Sequence, residues 1–193
     1  MIKYLKNIGI LIFAILLATF IRTFLIQIYY IPSSSMEPNL NISDRVLVIK
    51  DHFINTEYKL GDVVIFYNPN FIYTKNVYQE YLDALQVWNI NNKLSMDTAF
   101  VKRIIGLPGD TIIINKSGEV FNNDIKLNFN NVVSGNESEL IHYTVPENSY
   151  FLLGDNRNNS IDSRIYGSVN KRQIIGKAVY KIYPLNEISK IND

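Results

Sequence analysis

The stretch FVKRIIGLPGD, residues 100–110, has the pattern from which the fold class can be predicted. A short run rich in β-branched and aromatic side chains leads into a Pro-Gly-Asp turn, which is typical of a strand bounded by a turn. Side chains alternate across a strand, so Lys102 shares a face with Phe100 and Ile104. A lysine among bulky apolar neighbours loses hydration, and its pKa should fall. The alternative is an edge-strand lysine whose charge opposes aggregation.

The chain after Pro32 repeats this pattern. Short runs of Val, Ile, Tyr and Phe are bounded by turn residues and predict a mostly β body. Turn signals in residues 115–127 predict a small hairpin. The other predicted strands are RVLVIK (45–50), DVVIFY (62–67), TIII (111–114), YFLL (150–153) and KAVYKIY (177–183).

One segment has a different period. Between residues 77 and 88, apolar side chains recur at helical spacing, which predicts a short amphipathic helix inserted in the β body. Such a helix would cover the β core or rest on a membrane surface.

A long apolar segment follows Lys3 and Lys6 near the N-terminus. It runs from residue 8 to residue 31, with one interruption at Arg22-Thr23, and a helix needs about 20 residues to cross a bilayer. Basic residues favour the cytoplasmic side. The pattern therefore predicts a cytoplasmic N-terminus at 1–7, a transmembrane anchor at 8–31 and an extracytoplasmic β domain at 32–193. A cleaved leader is the alternative, because the run up to Ile21 has a leader's length.

Composition narrows the chemistry. The chain has 19 basic and 18 acidic residues, which gives no indication of nucleic-acid binding. It has no cysteine, which excludes thiol catalysis, and its histidines, His52 and His142, are isolated and predict no metal site. No cofactor is expected. A serine nucleophile would therefore need a base other than histidine, such as a lysine made neutral by burial.

Ser33 and Ser35 directly follow the apolar segment, in IPSSSMEPNL (31–40). Pro32 disfavours continuation of a helix, so the serines lie in a turn where the chain leaves the apolar segment. Small residues two apart at such a point are also typical of a signal-peptide cleavage site. The segment is thus either a site that a peptidase cuts or part of a peptidase.

Four segments resemble, in order, the conserved boxes of type I signal peptidases, the membrane-anchored leader peptidases of bacteria. The resemblance extends from Arg22 to about Ile182 and includes an anchor before the first box. It implies coiled antiparallel β-sheets around a cleft that faces the membrane, with 32–193 as the catalytic domain. It also implies removal of N-terminal signal peptides from exported preproteins through an acyl-enzyme. The segments are SSSMEPNL (33–40), GDVVIFYNP (61–69), FVKRIIGLPGD (100–110) and GDNRNNSIDSR (154–164).

The resemblance assigns roles to individual residues. Ser35 matches the nucleophile, Lys102 the general base, and Ser33 a hydroxyl that joins the Ser35 backbone N–H in the oxyanion hole. Ser160 matches a serine that hydrogen-bonds and orients the lysine. The supporting ion pair is matched by Asp162 and Arg164.

The family's substrate binds in an extended conformation, with small residues one and three places before the cut. The apolar walls of the pockets that accept them are matched by Ile31, Met36, Leu40 and Val101. Asn39 departs from the family pattern, which usually has Thr at this position.

Two other functions fit part of the sequence. A self-cleaving serine–lysine peptidase of the repressor type carries a similar serine motif, but its N-terminus is soluble or binds DNA. An anchored β domain could instead only bind partners. The apolar N-terminus argues against the first and the four boxes against the second, so preproteins and the lipid bilayer are the predicted partners.

Overall fold

Antiparallel strands make up most of the structure, a computed structural model that describes residues 2–51, 56–69, 79, 81–82, 99–133, 135 and 140–191. The prediction of a mostly β fold is confirmed. The strands in these ranges are β1 Ile26–Tyr30, β2 Arg45–Lys50, β3 Val63–Tyr67, β4 Ala99–Gly106, β5 Thr111–Ile114, β6 Val120–Asn122, β7 Ile125–Lys126, β8 Ile141–Thr144, β9 Ser149–Leu153, β10 Val169–Asn170, β11 Ile174–Tyr183 and β12 Ser189–Lys190.

The strands form two sheets. The larger has the order β1-β2-β11-β3-β4-β9-β10, with β12 added beside β11, and the smaller has the order β7-β6-β5-β8. An apolar cluster that includes Ile105, Ile112 and Phe151 packs β4 and β9 of the larger sheet against β5 of the smaller. A strand buried on both faces carries apolar side chains in both directions, and β4 is of this kind.

The predicted hairpin in residues 115–127 is present as β6 and β7. Asn123 and Asp124 connect the two strands, both with positive φ angles (48° and 67°). Two-residue hairpin turns require this left-handed conformation, and Asn and Asp adopt it at little cost.

The described residues contain helix α1, Ile2–Phe24, and helix α2, Ser163–Tyr166. Single 3₁₀ turns lie at Ser34–Met36, Arg157–Asn159, Lys171–Gln173 and Leu185–Glu187. By length and composition, Lys6–Phe24 of α1 is a candidate membrane span.

The predicted anchor at 8–31 is too long at its C-terminal end. The helix ends at Phe24, and Ile26–Tyr30 forms β1, which pairs with β2 from Ile26↔Ile49 to Tyr30↔Arg45. The sequence IQIYY is rich in β-branched and aromatic residues and alternates in exposure, as an edge strand does. Because the helix and the strand are both apolar, the apolar run in the sequence does not show where the helix ends.

The predicted amphipathic helix is described at only three positions. Gln79, Tyr81 and Leu82 are helical, and the rest of 77–88 lies outside the described residues. The Tyr81 hydroxyl donates a hydrogen bond to the Leu16 carbonyl (3.2 Å), and its ring stacks on Phe24 with the centroids 5.7 Å apart. Tyr81 therefore contacts α1.

Candidate active site

Ser35 lies in the 3₁₀ turn that follows β1 and Pro32. The next side chain, Met36, is completely buried and packs in the apolar cluster beneath the turn. The Leu40 amide donates to the Met36 carbonyl (2.9 Å), which closes the turn on its other side. The Ser35 side chain is thus held in a fixed place, with 5% of the residue's surface exposed.

A second segment, residues 154–156, holds the Ser35 turn from across the site. The Asn156 amide donates to the Ser35 carbonyl (3.0 Å), and its side-chain Nδ2 donates to the Ser34 carbonyl (3.2 Å). Gly154 lies so close that a Cβ there would be 2.6 Å from the Ser35 carbonyl oxygen and 2.2 Å from Ser160 Oγ. The sequence motif GDNRNNSIDSR alone indicates no role for Gly154 or Asn156.

Lys102 lies on β4, between β3 and β9, so the edge-strand alternative is wrong. Its Nζ donates to Ser35 Oγ (2.8 Å) and to the Val101 carbonyl (3.0 Å), and it lies 5.9 Å from the centroid of the Phe100 ring. Burial lowers the pKa of Lys102 from 10.5 to about 8, and Asp162 and Asp155 offset this in part. The predicted apolar surroundings and lowered pKa are both present.

The other two serines differ in their contacts. Ser33 Oγ lies 3.4 Å from Ser35 Oγ, the hydroxyl that contacts Lys102. Ser160 Oγ is buried, and it has no hydrogen-bond partner among the described residues. The hydrogen bond expected from Ser160 to Lys102 is not formed in the structure; Lys102 donates instead to Ser35 and to a backbone carbonyl.

Asp162 and Arg164 form a buried ion pair. Arg164 Nε donates to Asp162 Oδ1 (2.8 Å) and Nη2 to Oδ2 (2.9 Å), and Asp162 has no exposed surface. Asp162 Oδ2 also accepts a hydrogen bond from the Gly154 amide (3.0 Å). The pair therefore supports the backbone of the segment that contacts the Ser35 turn.

A second buried ion pair was missed by sequence analysis. Arg103 Nε and Nη2 donate to the two carboxylate oxygens of Asp155 (2.8 and 2.7 Å), and Arg103 Nη1 donates to the Gly61 carbonyl (2.7 Å). Asn39 Nδ2 donates to Asp155 Oδ2 (2.8 Å). Three of the four sequence boxes thus meet at the Asp155 carboxylate, and the fourth is joined to it through Arg103. The signal in the sequence was a second charged residue, Arg103, within an apolar strand.

The four residues expected to line substrate pockets lie together. Ile31, Met36, Leu40 and Val101 belong to one apolar cluster with strands β2, β3 and β11. Each exposes 7% or less of its surface. The cluster supports the Ser35 turn, and its part in substrate selection stays a prediction.

A serine hydroxyl in contact with a buried, weakly basic lysine is the geometry of a serine–lysine hydrolase. Comparison with known proteins gives the same class. The family described as "Signal peptidase, peptidase S26" matches residues 2–183. The chain belongs to this family and is a serine peptidase, which confirms the resemblance.

Curated relatives cover most of the chain. A probable signal peptidase I-2 of Synechocystis is 37% identical over 180 residues, which are 93% of this chain and 73% of the relative. Signal peptidase I of Leptolyngbya laminosa is 35% identical over 97% of this chain and 82% of its own length. Signal peptidase I of Bacillus licheniformis is 33% identical over 93% of this chain and 89% of its own length. With the apolar helix α1, this membership indicates a membrane-anchored enzyme.

Proposed function

We propose that Ser35 is the nucleophile and Lys102 the general base with which this signal peptidase removes signal peptides from exported preproteins. The observation that carries the proposal is the 2.8 Å contact from Lys102 Nζ to Ser35 Oγ. A serine hydroxyl needs a base within hydrogen-bond reach, and a base is most effective when its pKa lies near the working pH. With a pKa of about 8, Lys102 is neutral in a useful fraction of molecules.

The reaction needs one proton carrier. Neutral Lys102 accepts the Ser35 hydroxyl proton as Oγ attacks the carbonyl carbon before the scissile bond. The resulting ammonium gives that proton to the leaving amine, and the signal peptide remains as an ester on Ser35. Water then attacks the ester, with Lys102 again accepting a proton. Lys102 gives this proton to Ser35 Oγ as the acyl–oxygen bond breaks, which releases the signal peptide with a new carboxylate and restores the starting enzyme.

Negative charge develops on the carbonyl oxygen during both attacks. The Ser33 hydroxyl, beside Ser35 Oγ, and the Ser35 amide are the proposed donors to this oxygen. Donors fixed before the reaction stabilise the charge without rearrangement, and loss of one typically costs roughly 3 kcal/mol of transition-state stabilisation.

The supporting groups act on the geometry of this pair. The Val101 carbonyl accepts one Lys102 proton and points Nζ toward Ser35. Asp162, which is paired with Arg164, accepts a hydrogen bond from the Gly154 amide, and the Asn156 amide donates to the Ser35 carbonyl. Ser160 Oγ, buried beside Gly154, is the proposed partner for Lys102 once the lysine has gained a proton.

Substrate selection is proposed to depend on the apolar cluster next to Ser35. Ile31, Met36, Leu40 and Val101 are large side chains packed close together, and a shallow pocket among them would exclude large substrate residues by overlap. This fits a preference for small residues one and three places before the cut.

Helix α1 is proposed to cross the membrane with its N-terminus in the cytoplasm, because Lys6 precedes its apolar part. One face of the larger sheet continues from the end of this helix. Ile28, Leu47 and Tyr180 are neighbours across β1, β2 and β11, and Ile28 and Tyr180 are 54% and 44% exposed. We call Ile26, Ile28, Leu47, Ile49 and Tyr180 the outer sheet face. Its apolar character suits contact with the lipid surface.

The test uses the full chain in lipid vesicles and a preprotein with an Ala-x-Ala site. Ser35→Ala and Lys102→Ala should each abolish cleavage while the thermal unfolding transition is retained. The matched controls are Ser117→Ala, in the exposed turn between β5 and β6, and Lys126→Ala, on β7, which should cleave as the parent does. Near-parental turnover in Ser35→Ala or Lys102→Ala would disprove the assignment.

A further inference from the structure

Lys50 is a second buried lysine, at the C-terminal end of β2 and outside the site described above. It exposes 8% of its surface. Its Nζ donates to the Thr23 carbonyl at 2.9 Å, and its backbone amide donates to the Leu25 carbonyl at 2.8 Å. Thr23 lies in the last turn of α1, so one residue of the sheet contacts the end of the anchor through both its side chain and its backbone.

The contact has a clear physical basis. The last carbonyls of a helix have no partner within the helix, and the C-terminal end of the helix dipole favours a cation. Thr23 and Phe24 are 5% and 4% exposed, so this helix end is buried against the rest of the protein. A carbonyl in such a place needs a donor, and Lys50 supplies it.

The linked helix end is connected to the nucleophile by a hydrogen-bonded path. Strand β1 begins two residues after α1 ends and pairs with β2 along its whole length. The Ile31 amide then donates to the Asp44 carbonyl (2.9 Å), and Ile31 is buried four residues before Ser35. The step from Leu25 to Ile31 spans roughly 20 Å of extended chain. The anchor and Ser35 are therefore parts of one sheet-bound segment.

We propose that Lys50 is a positioning residue that locks the anchor helix to the catalytic sheet. This contact fixes the orientation of Ser35 and its distance from the bilayer surface. It thereby selects which bond of a membrane-inserted substrate reaches Ser35. The inference rests on the proposed function, because it concerns where that reaction takes place. It predicts a defect specific to membrane-inserted substrates.

The test compares two substrates with full-length protein in vesicles of phosphatidylethanolamine and phosphatidylglycerol. One is a bilayer-inserted preprotein with two Ala-x-Ala sites at different distances from its apolar segment, and the other is a soluble peptide with one such site. Lys50→Met should lower kcat/KM for the preprotein at least tenfold and change the ratio of the two cuts, while the peptide kcat stays within twofold. Lys50→Arg, which keeps a cation, should restore both preprotein values.

Lys177→Met is the matched control. Lys177 lies on the neighbouring strand β11 and pairs with the buried Asp62 (2.6 Å), so its loss also removes a partly buried ion pair from this sheet. It should leave the ratio of the two preprotein cuts unchanged. A change in that ratio equal to the one in Lys50→Met would overturn the proposal.

A second measurement does not depend on activity. The chain has no cysteine, so spin labels can be placed at Leu17→Cys on α1 and Lys116→Cys in the turn between β5 and β6, both exposed. The distance distribution should be narrow with Lys50 and broad with Met at this position. A distance distribution that is unchanged in Lys50→Met would overturn the proposal. An equal loss of activity on the preprotein and on the soluble peptide in Lys50→Met would overturn it as well. Failure of the parent enzyme on both substrates would instead disprove the proposed function.

Discussion

In the proposed mechanism, the burial of one amine, Lys102, sets the pH dependence of the reaction. Only the neutral amine can accept the Ser35 proton, and burial lowers the pKa of Lys102 to about 8. We expect kcat/KM for a soluble peptide to rise with pH, with a midpoint near 8, and to level off above it. Steady-state kinetics between pH 6 and 10 measure this, and a flat profile would contradict the role of Lys102 as base.

The burial of Lys102 also lowers the free energy of unfolding. Its pKa is about 8 when folded and 10.5 as a free side chain, so the unfolded chain binds more protons between these values and stability rises with pH across that window. Below pH 8, burial of the charged Lys102 side chain lowers the free energy of unfolding by its full amount, roughly 3 kcal/mol. Lys102→Met should therefore raise the free energy of unfolding at pH 7 while it abolishes cleavage.

Chemical denaturation at pH 7 and above pH 10.5 tests this prediction. The gain from Lys102→Met should be largest at pH 7 and shrink above pH 10.5. Lys126→Met, at a lysine that is 47% exposed, should show no such pH-dependent gain. A Lys102→Met protein less stable than the parent at pH 7 would mean that the ammonium is well compensated.

Gly154 is required because of the space around it. A Cβ at this position would overlap the Ser35 carbonyl and Ser160 Oγ, and the first of these is backbone that cannot turn away. Gly154→Ala should lower kcat by a factor of ten or more on a soluble peptide, because the Ser35 turn must shift. Gly9→Ala, where nothing lies within 4 Å, is the control and should keep full activity.

Among the elements, β4 and the segment after β9 are joined by the Arg103–Asp155 pair. Asp155→Asn keeps the shape of the side chain but leaves the Arg103 guanidinium buried without its counter-ion. Removal of one partner of a buried pair costs about 3–5 kcal/mol. Urea denaturation should show a loss of this order, whereas Glu119→Gln, which breaks the surface pair with Lys126, should change stability very little.

The bounds of some strands could be predicted from the sequence alone. The runs at 45–50 and 111–114 match β2 and β5 at both ends, because local composition and turn residues determine such strands. The alternation of Phe100, Lys102 and Ile104 identified the buried lysine. The misassignment of Ile26–Tyr30 arose because a strand and a helix can both be apolar, and only the partner strand β2 distinguishes them.

Long-range contacts in the site were beyond sequence patterns. The contacts of Asn156 and Gly154 with the Ser35 turn join residues more than a hundred positions apart. The Asn39–Asp155 hydrogen bond is of the same kind. These contacts depend on how the loops meet once the sheet has formed, so no local period or motif spacing encodes them.

At the scale of the whole molecule, the proposed orientation relative to the bilayer rests on helix α1 and the outer sheet face. The outer sheet face continues from the end of α1, and its exposed apolar residues lie in adjacent strands.

If this face rests on lipid, fluorophores at Ile28→Cys and Tyr180→Cys should be quenched by brominated lipids in vesicles. A fluorophore at Ile125→Cys, on the smaller sheet and 70% exposed, should be quenched far less. Since the chain has no cysteine of its own, each label reports one position. Equal quenching at the three positions would exclude this orientation. Selective quenching at Ile28→Cys and Tyr180→Cys would support it. Because Ser35 follows β1, it would then lie close to the membrane surface, where a signal peptide ends.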